Sequence, residues 1–271
     1  MNIKKAISFG KNNLQDLKNP TLEVEILLAE ILKISRICIK TSPEKKIENH
    51  IFQKFKKAVF LRKKRLPIPY IFGYKIWHDL KIFVNKNVLI PRDETEILCN
   101  KILNHKRNFS PKKILDIGTG SGNIAVFLKK NFPAADILAT DICNKALYIA
   151  EKNANLHKTN IEFLNRNLLD NFEDKNFDII VANLPYVPQN FKKIVEPEVL
   201  HEPLNAIFSG DDGLFLIKNL TQQLIKNNFS FKELWLEFLP CQEKDIKKIF
   251  SKFKVHFFTD VGKDIFFVKV E

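Results

Sequence analysis

Residues 113–132, KILDIGTGSGNIAVFLKKNF, decide the fold. A short apolar run, 113–117, breaks at Gly118 and is followed by Gly120 and Gly122, and from Asn123 the apolar residues recur at helical spacing. The reading is strand, glycine turn, helix. Glycines at such a turn let the backbone bend tightly and approach a ligand closely. The dinucleotide-binding fingerprint is G-x-G-x-x-G, but here the third glycine comes one residue early and Asn123 stands at the dinucleotide position. No P-loop lysine-threonine pair follows, so nothing here is shaped for a nucleotide triphosphate. Outward from this stretch, apolar runs at 113–117, 136–140, 161–165, 178–182, 233–238, 254–258 and 264–270 predict strands. Segments such as GNIAVFLKKNF (122–132) and CNKALYIAEKNANLH (143–157) predict helices between them. That alternation makes an α/β fold with a parallel sheet covered on both faces. Only TDVGK (259–263) separates the last two strands, a link short enough to force an antiparallel hairpin.

The D-x-G-x-G-x-G spelling of Asp116, Gly118, Gly120 and Gly122 resembles the loop of class I methyltransferases, which bind S-adenosylmethionine. The resemblance implies a seven-stranded Rossmann-like sheet, mostly parallel, with the last strand antiparallel. It also implies a cofactor held along Asp116, Gly118, Thr119, Gly120, Ser121 and Gly122. Asp141, at the end of the next strand, can accept both ribose hydroxyls; it can equally cap the helix that follows. Asn167 and Leu168 fall where this fold places adenine contacts, and Asn183 completes the cofactor-binding set.

Residues 178–189, DIIVANLPYVPQ, end a buried strand on an amide, a proline and a ring. Ligands bind outside the carboxyl ends of parallel strands, so Asn183, Leu184, Pro185 and Tyr186 are the candidate catalytic residues. The turn is similar to the N-P-P-Y loop of methyltransferases that act on planar nitrogens. An amide nitrogen is a poor nucleophile because its lone pair is delocalised, so it must be held in line with the methyl group. Asn183 can accept one N–H of such a group and donate to its carbonyl, and the Leu184 carbonyl can accept the other N–H. Tyr186 can lie against the flat group. Leu184 replaces the first proline, and Pro185 still biases it toward an extended backbone. No metal site is expected.

Further stretches narrow the substrate. IPYIFGYKIWHDLKIFVNKNVLIPRDETE (68–96) and EPEVLHEPLNAIFSGDDGL (196–214) resemble segments of the PrmC/HemK family, the release factor glutamine methyltransferases. Arg92, Thr95 and Glu96 match that family's I-P-R-P-E-T-E, while Asp93 replaces its second proline. WLEFLPCQ (235–242) departs from the usual Leu-Glu-x-Gly strand end and reads as drift at the sheet edge. The resemblance implies methyl transfer to the glutamine of the Gly-Gly-Gln motif in peptide chain release factors. It also implies that Arg92, Glu96, Glu202 and Pro203 shape the substrate entrance; helix capping and loop packing explain the same residues equally well. The N-L-P-Y spelling also resembles rRNA adenine dimethyltransferases, but those typically lack a helical N-terminal domain. A third reading, prompted by Leu184, is a relic that binds cofactor without turnover.

The layout expected is a helical substrate-recognition domain (1–68), a β-hairpin linker (69–90) and a methyltransferase domain (91–271). Thr21 is the expected N-cap of the helix in TLEVEILLAEILKIS (21–35), and IENHIFQKFKKAVFLRKKR (47–65) forms a second. Hydrophobic residues make up 45% of the 271, enough for a packed core, and no run approaches a membrane span. The net charge of +13 comes from lysines scattered along the chain, so it favours composition over a nucleic-acid partner, although 54–67 is dense in them. The four cysteines form no C-x-x-C pair and read as reduced thiols. A cytosolic monomer is expected.

Overall fold

A computed structural model describes residues 1–105, 110–259 and 266–271. The chain divides into two units, Met1–Phe72 with Pro197–His201, and Gly73–Glu196 with Glu202–Glu271.

The second unit is built on β3 (Lys113–Ile117), β4 (Asp136–Asp141), β5 (Glu162–Asn165), β6 (Asn176–Ala182), β7 (Ser230–Phe238), β8 (Val255–Thr259) and β9 (Phe266–Val270). They form one seven-stranded sheet in the order β5-β4-β3-β6-β7-β9-β8. Only β9 runs against its neighbours, β7 and β8, as the short link requires. Most of that link, and Asp264 of the expected last strand, lie outside the described residues. Both faces are covered, and the strand sequences show how. Alternate residues Leu115, Ile117, Ile180, Ala182, Leu234 and Leu236 join a core with Ile217, Leu220, Leu224 and Ile246 of α9 (Phe215–Lys226) and α10 (Glu243–Ile249). The intervening residues point the other way, because strand side chains alternate. That opposite face belongs to α6 (Asp93–His105), α7 (Asn123–Asn131) and α8 (Asn144–Leu156), which pack side by side. It therefore receives Asp116 and Glu237. Strand order reverses direction around β3, whose neighbours are β4 on one side and β6 on the other. In open parallel sheets the ligand crevice lies at the carboxyl ends beside that switch point.

A hairpin of β1 (Tyr74–Trp77) and β2 (Leu80–Phe83) precedes the sheet. Its turn is two residues long, His78 and Asp79, both in the left-handed region at φ 45° and 59°. That is the primed turn whose twist suits a hairpin, with neither residue a glycine. Asp79→Gly removes one strained position at an exposed site, and a gain of about 0.5–1 kcal/mol is expected in urea unfolding. An unchanged or lower midpoint counts against strain at this turn.

The first unit comprises α1 (Ile3–Asn13), α2 (Pro20–Leu32), α3 (Arg36–Thr41), α4 (Asn49–Lys63) and α5 (Ile68–Phe72). Its core gathers Ile3, Leu14, Val24, Leu27, Leu28, Phe55 and Val59. Two sequence expectations are corrected here. The cap of α2 is Asn19, whose Oδ1 accepts from Leu22 N at 3.4 Å, and not Thr21. Pro20 takes the first helical position, where its missing N–H costs nothing. Residues 70–72, expected to open the hairpin, are helical instead, with Tyr70 N and Ile71 N donating to the Pro67 carbonyl at 3.0 and 3.1 Å. The segment from 197 to 201 joins this unit through Glu198, which pairs with Arg62 at 2.8 Å and Arg65 at 3.3 Å. No helix among the described residues is long and apolar enough to cross a membrane.

Candidate active site

Gly118, Gly120 and Gly122 all have positive φ, and the loop they form leaves β3 toward β4. Thr119 N donates to the Thr140 carbonyl at 2.8 Å, and Gly120 N donates to Asp141 Oδ2 at 2.9 Å. Gly122 has a packing reason as well as a conformational one. A Cβ there would lie 2.9 Å from Ala150 Cβ and 3.0 Å from Ala150 Cα, so α8 seats directly on the loop. That contact and the positive φ explain why residue 122 is a glycine. Asn153, also on α8 and fully buried, donates to the Ser121 carbonyl at 2.8 Å. It also exchanges two bonds with the Phe83 main chain, at 2.7 and 3.0 Å, so one side chain ties hairpin, helix and glycine loop together.

The loop walls a cavity of about 410 Å³. Gly118, Thr119, Gly120, Ser121, Asp141, Asn167, Leu168, Asn183, Leu184, Pro185, Arg92 and Pro203 all line it. Asp116, Gly122, Tyr186, Glu96 and Glu202 do not. Asp116 is fully buried in β3, and Gly122 packs against Ala150 of α8. Glu96 is spent on the hairpin, accepting from His78 N at 3.0 Å. Glu202 is buried and accepts from Ile90 N at 2.9 Å and from Arg92 Nη2 at 2.6 Å, so it braces the segment that carries Arg92. Tyr186 is expected from sequence to lie against the substrate. In the structure its ring packs on the core beneath the sheet's carboxyl end and its phenol faces Glu237.

The donor set fits S-adenosylmethionine. Asp141 spends one lone pair of each oxygen on the main chain, accepting from Gly120 N at 2.9 Å and Cys143 N at 2.8 Å, and keeps capacity for two hydroxyls. The capping and ribose-binding readings are therefore compatible, although Cys143 is the residue at the N-cap of α8. Exposed Ile142 and the Asn167–Leu168 pair line the same cavity as that carboxylate. Gly118 and Gly120 leave the cavity wall without side chains. Leu184 exploits this, its Cδ2 lying 3.1 Å from where a Gly118 Cβ would stand.

Residues that sequence reasoning missed hold the N-L-P-Y turn. Gln242 Nε2 donates to the Tyr186 carbonyl at 2.8 Å and the Asp212 carbonyl at 2.9 Å, while its Oε1 accepts from Leu239 N at 2.8 Å. The 235–242 strand end, read as drift, is thus a clamp on the loop. Asn183 Nδ2 donates to Thr95 Oγ1 at 2.9 Å.

Among the described residues, the carboxyls of Asp116 and Glu237 are buried without charge partners. Burial pushes Asp116 up to about 7, opposed by the Thr119 hydroxyl, which donates to Oδ2 at 2.7 Å. Burial likewise pushes Glu237 up to about 7; Thr95, Asn183 and Tyr186 lie near enough to oppose this, and Glu94 adds to it. Neither Glu237 oxygen closes a hydrogen bond of normal geometry. Burial also raises Asp141, against the N–H groups of Cys143 and Gly120. Asp116 and Glu237 keep protons in the folded chain that the unfolded chain loses near the ordinary carboxylate value. The folded state binds more protons between there and about pH 7, so stability falls as pH rises through that interval. Carboxylates held low, such as Asp178 and Glu271, act in the opposite sense only at more acid pH. The urea midpoint of cofactor-free protein is expected to be lower at about pH 8 than at about pH 5.5, with Glu237→Gln reducing the difference. A midpoint that rises over this interval contradicts the assignment.

Comparison with known proteins gives the family. The methyltransferase small domain family matches residues 74–227, and the PrmC N-terminal domain family matches residues 5–73. The release factor glutamine methyltransferase of Flavobacterium psychrophilum is 37% identical over 248 residues, covering 89% of this chain and 86% of that protein. Its counterpart in Buchnera aphidicola subsp. Schizaphis graminum is 34% identical over 266 residues, covering 97% and 96%. Among solved structures, a ribosomal protein L11 methylase from Lactobacillus delbrueckii subsp. bulgaricus superposes with a TM-score of 0.50 at 20% identity. It covers 66% of this chain and 79% of that one, a likeness of fold.

Proposed function

The chain belongs to the family of release factor glutamine methyltransferases, and from that premise we propose how its residues divide the work. The reaction moves a methyl group from S-adenosylmethionine to the side-chain amide nitrogen of a release factor glutamine, the one in the Gly-Gly-Gln motif. The products are N5-methylglutamine and S-adenosylhomocysteine. When bound, the cofactor supplies a methyl group already activated by its sulfonium. Everything else is positioning, which can lower a barrier by several kcal/mol.

Asp141 accepts the ribose hydroxyls, and the bare backbone at Gly118 and Gly120 admits the cofactor's chain. Ile142 and the Asn167–Leu168 pair flank the adenine. Asn183 Oδ1 accepts one N–H of the substrate amide and the Leu184 carbonyl accepts the other, which fixes the nitrogen's plane. Tyr186 holds the turn through its partly buried ring and through the Gln242 bond to its carbonyl. Arg92 and Pro203 form the rim, with Glu202 fixing Arg92. The proton leaves after methyl transfer, because the alkylated amide nitrogen is strongly acidic. The helical unit, residues 1–68, helps grip the release factor, and the reaction belongs in the cytoplasm, where such factors work.

One observation carries this reading: the N-L-P-Y turn, the glycine loop and Asp141 open on the same cavity. Unmodified release factor and ribosomal RNA from one organism, incubated together with methyl-labelled cofactor, test it. Label is expected in the protein. Label in RNA with none in the release factor overturns the reading.

A further inference from the structure

We propose that Thr95 and Glu237 are positioning residues that set which end of the Asn183 amide faces the substrate. The inference rests on the reading above, in which Asn183 presents its oxygen to the substrate nitrogen. An asparagine amide has nearly the same shape when turned over, so only its partners decide the orientation. Turned over, Asn183 would aim N–H groups at the N–H groups of the substrate.

The partner is Thr95, which is 2% exposed and accepts from Asn183 Nδ2 at 2.9 Å. A threonine hydroxyl can also donate, and donating to the Asn183 oxygen would turn the amide over. Something must draw that proton elsewhere. The Ala182–Leu236 pairing of β6 with β7 puts Glu237 level with Asn183, on the face covered by α6. Glu237 is 1% exposed, and its oxygens have no hydrogen-bond partner of normal geometry. Ionised, a carboxylate only accepts, so it orients every nearby hydroxyl toward itself. Thr95 is the first of the groups that favour its charged form, with Asn183 and Tyr186 after it. The chain of polarity then runs from the Glu237 carboxylate to the Thr95 O–H, and from Thr95 Oγ1 to the Asn183 N–H.

Burying a carboxylate without a cation is unfavourable, and no cation among the described residues pairs with Glu237. Orienting the catalytic amide accounts for its presence. The other titratable groups around it are Glu94, Tyr186, and Cys99 on α6, whose thiol burial pushes well up; Asp116 and Glu96 also act on Cys99, and Arg92, the cation that acts on the Tyr186 phenol, is paired with Glu202 at 2.6 Å. None supplies an unpaired positive charge that would hold Thr95 differently.

The test uses the full chain, unmodified release factor and S-adenosylmethionine at about pH 8. Thr95→Val, which keeps the shape without the hydroxyl, is expected to lower kcat about 100-fold while leaving KM for the cofactor and S-adenosylhomocysteine affinity within about threefold. Thr95→Ser recovers most of the rate. Glu237→Gln lowers kcat too, and the double variant Thr95→Val/Glu237→Gln loses little more than Thr95→Val alone, because both act on the orientation of the same Asn183 amide. A Thr95→Val enzyme with wild-type kcat, or losses that multiply, overturns the proposal. A separate readout needs no turnover: the Asn183 side-chain N–H protons, followed by NMR, exchange at least about tenfold faster in Thr95→Val than in wild type. Equal exchange overturns the proposal. A wild-type enzyme that methylates nothing sinks the functional reading instead, and the exchange result then stands by itself.

Discussion

Gly213→Ala is expected to cost about 3–5 kcal/mol of folding stability and to abolish methyl transfer. Two effects combine. Gly213 sits at φ +76°, where an alanine is strained by about 1–2 kcal/mol. Its Cβ would also stand 2.1 Å from the Tyr186 carbonyl oxygen and 2.6 Å from Gln242 Nε2, far inside contact distance. Neither neighbour can yield cheaply, because Gln242 is bonded to the Tyr186, Asp212 and Leu239 main chains. The strain therefore falls on the N-L-P-Y turn. Urea unfolding measures the loss of stability, and an unchanged midpoint would mean that the clamp is not rigid.

Asn183→Ala is the second large effect, on rate and not on stability. Removing a preorganised hydrogen-bonding group at the reacting atoms typically costs about 10²–10³ in kcat. The side chain is only partly buried, and its loss leaves Thr95 short of one donor, so the fold is little disturbed. S-adenosylhomocysteine binding is spread over the glycine loop, Asp141 and Asn167–Leu168, and is expected to change far less than kcat. Steady-state kinetics beside calorimetry separates the two. An Asn183→Ala enzyme with near-normal kcat removes the amide from the mechanism.

Local patterns in the sequence proved easy to read, and contacts between distant residues did not. The strand–glycine–helix stretch at 113–132 and the apolar run at 178–182 are signals carried by neighbours, and both stand where expected. Element ends were less legible. β6 begins at Asn176 and β7 at Ser230, because Asn176 pairs with Ser230 and Phe177 with Phe231 at a sheet margin where single phenylalanines stand between polar residues and make no apolar run. The cap of α2 went to Asn19 because Pro20 can occupy only the first helical position. Within the site, the glycines, Asp141 and Asn183 announce themselves by motif. Asn153, Gln242, Gly213 and Glu237 do not, since each acts on a main-chain group or side chain far away in sequence. Gln242, for example, reaches back 56 residues to Tyr186. The resemblance did point at the segment containing Gly213, and the segment containing Glu237 read as a departure from it; neither reading says what these residues touch.

On the proposed reading, this cavity methylates a release factor glutamine through the turn at Asn183. The measurement that tests it most directly is the mass of the Gly-Gly-Gln peptide, digested from release factor after incubation with S-adenosylmethionine and either wild-type enzyme or Asn183→Ala. A gain of one methyl group, located on that glutamine by fragmentation and lost with Asn183→Ala, is the predicted result. A peptide unchanged by the wild-type enzyme, or a methyl group on any other residue, would contradict it.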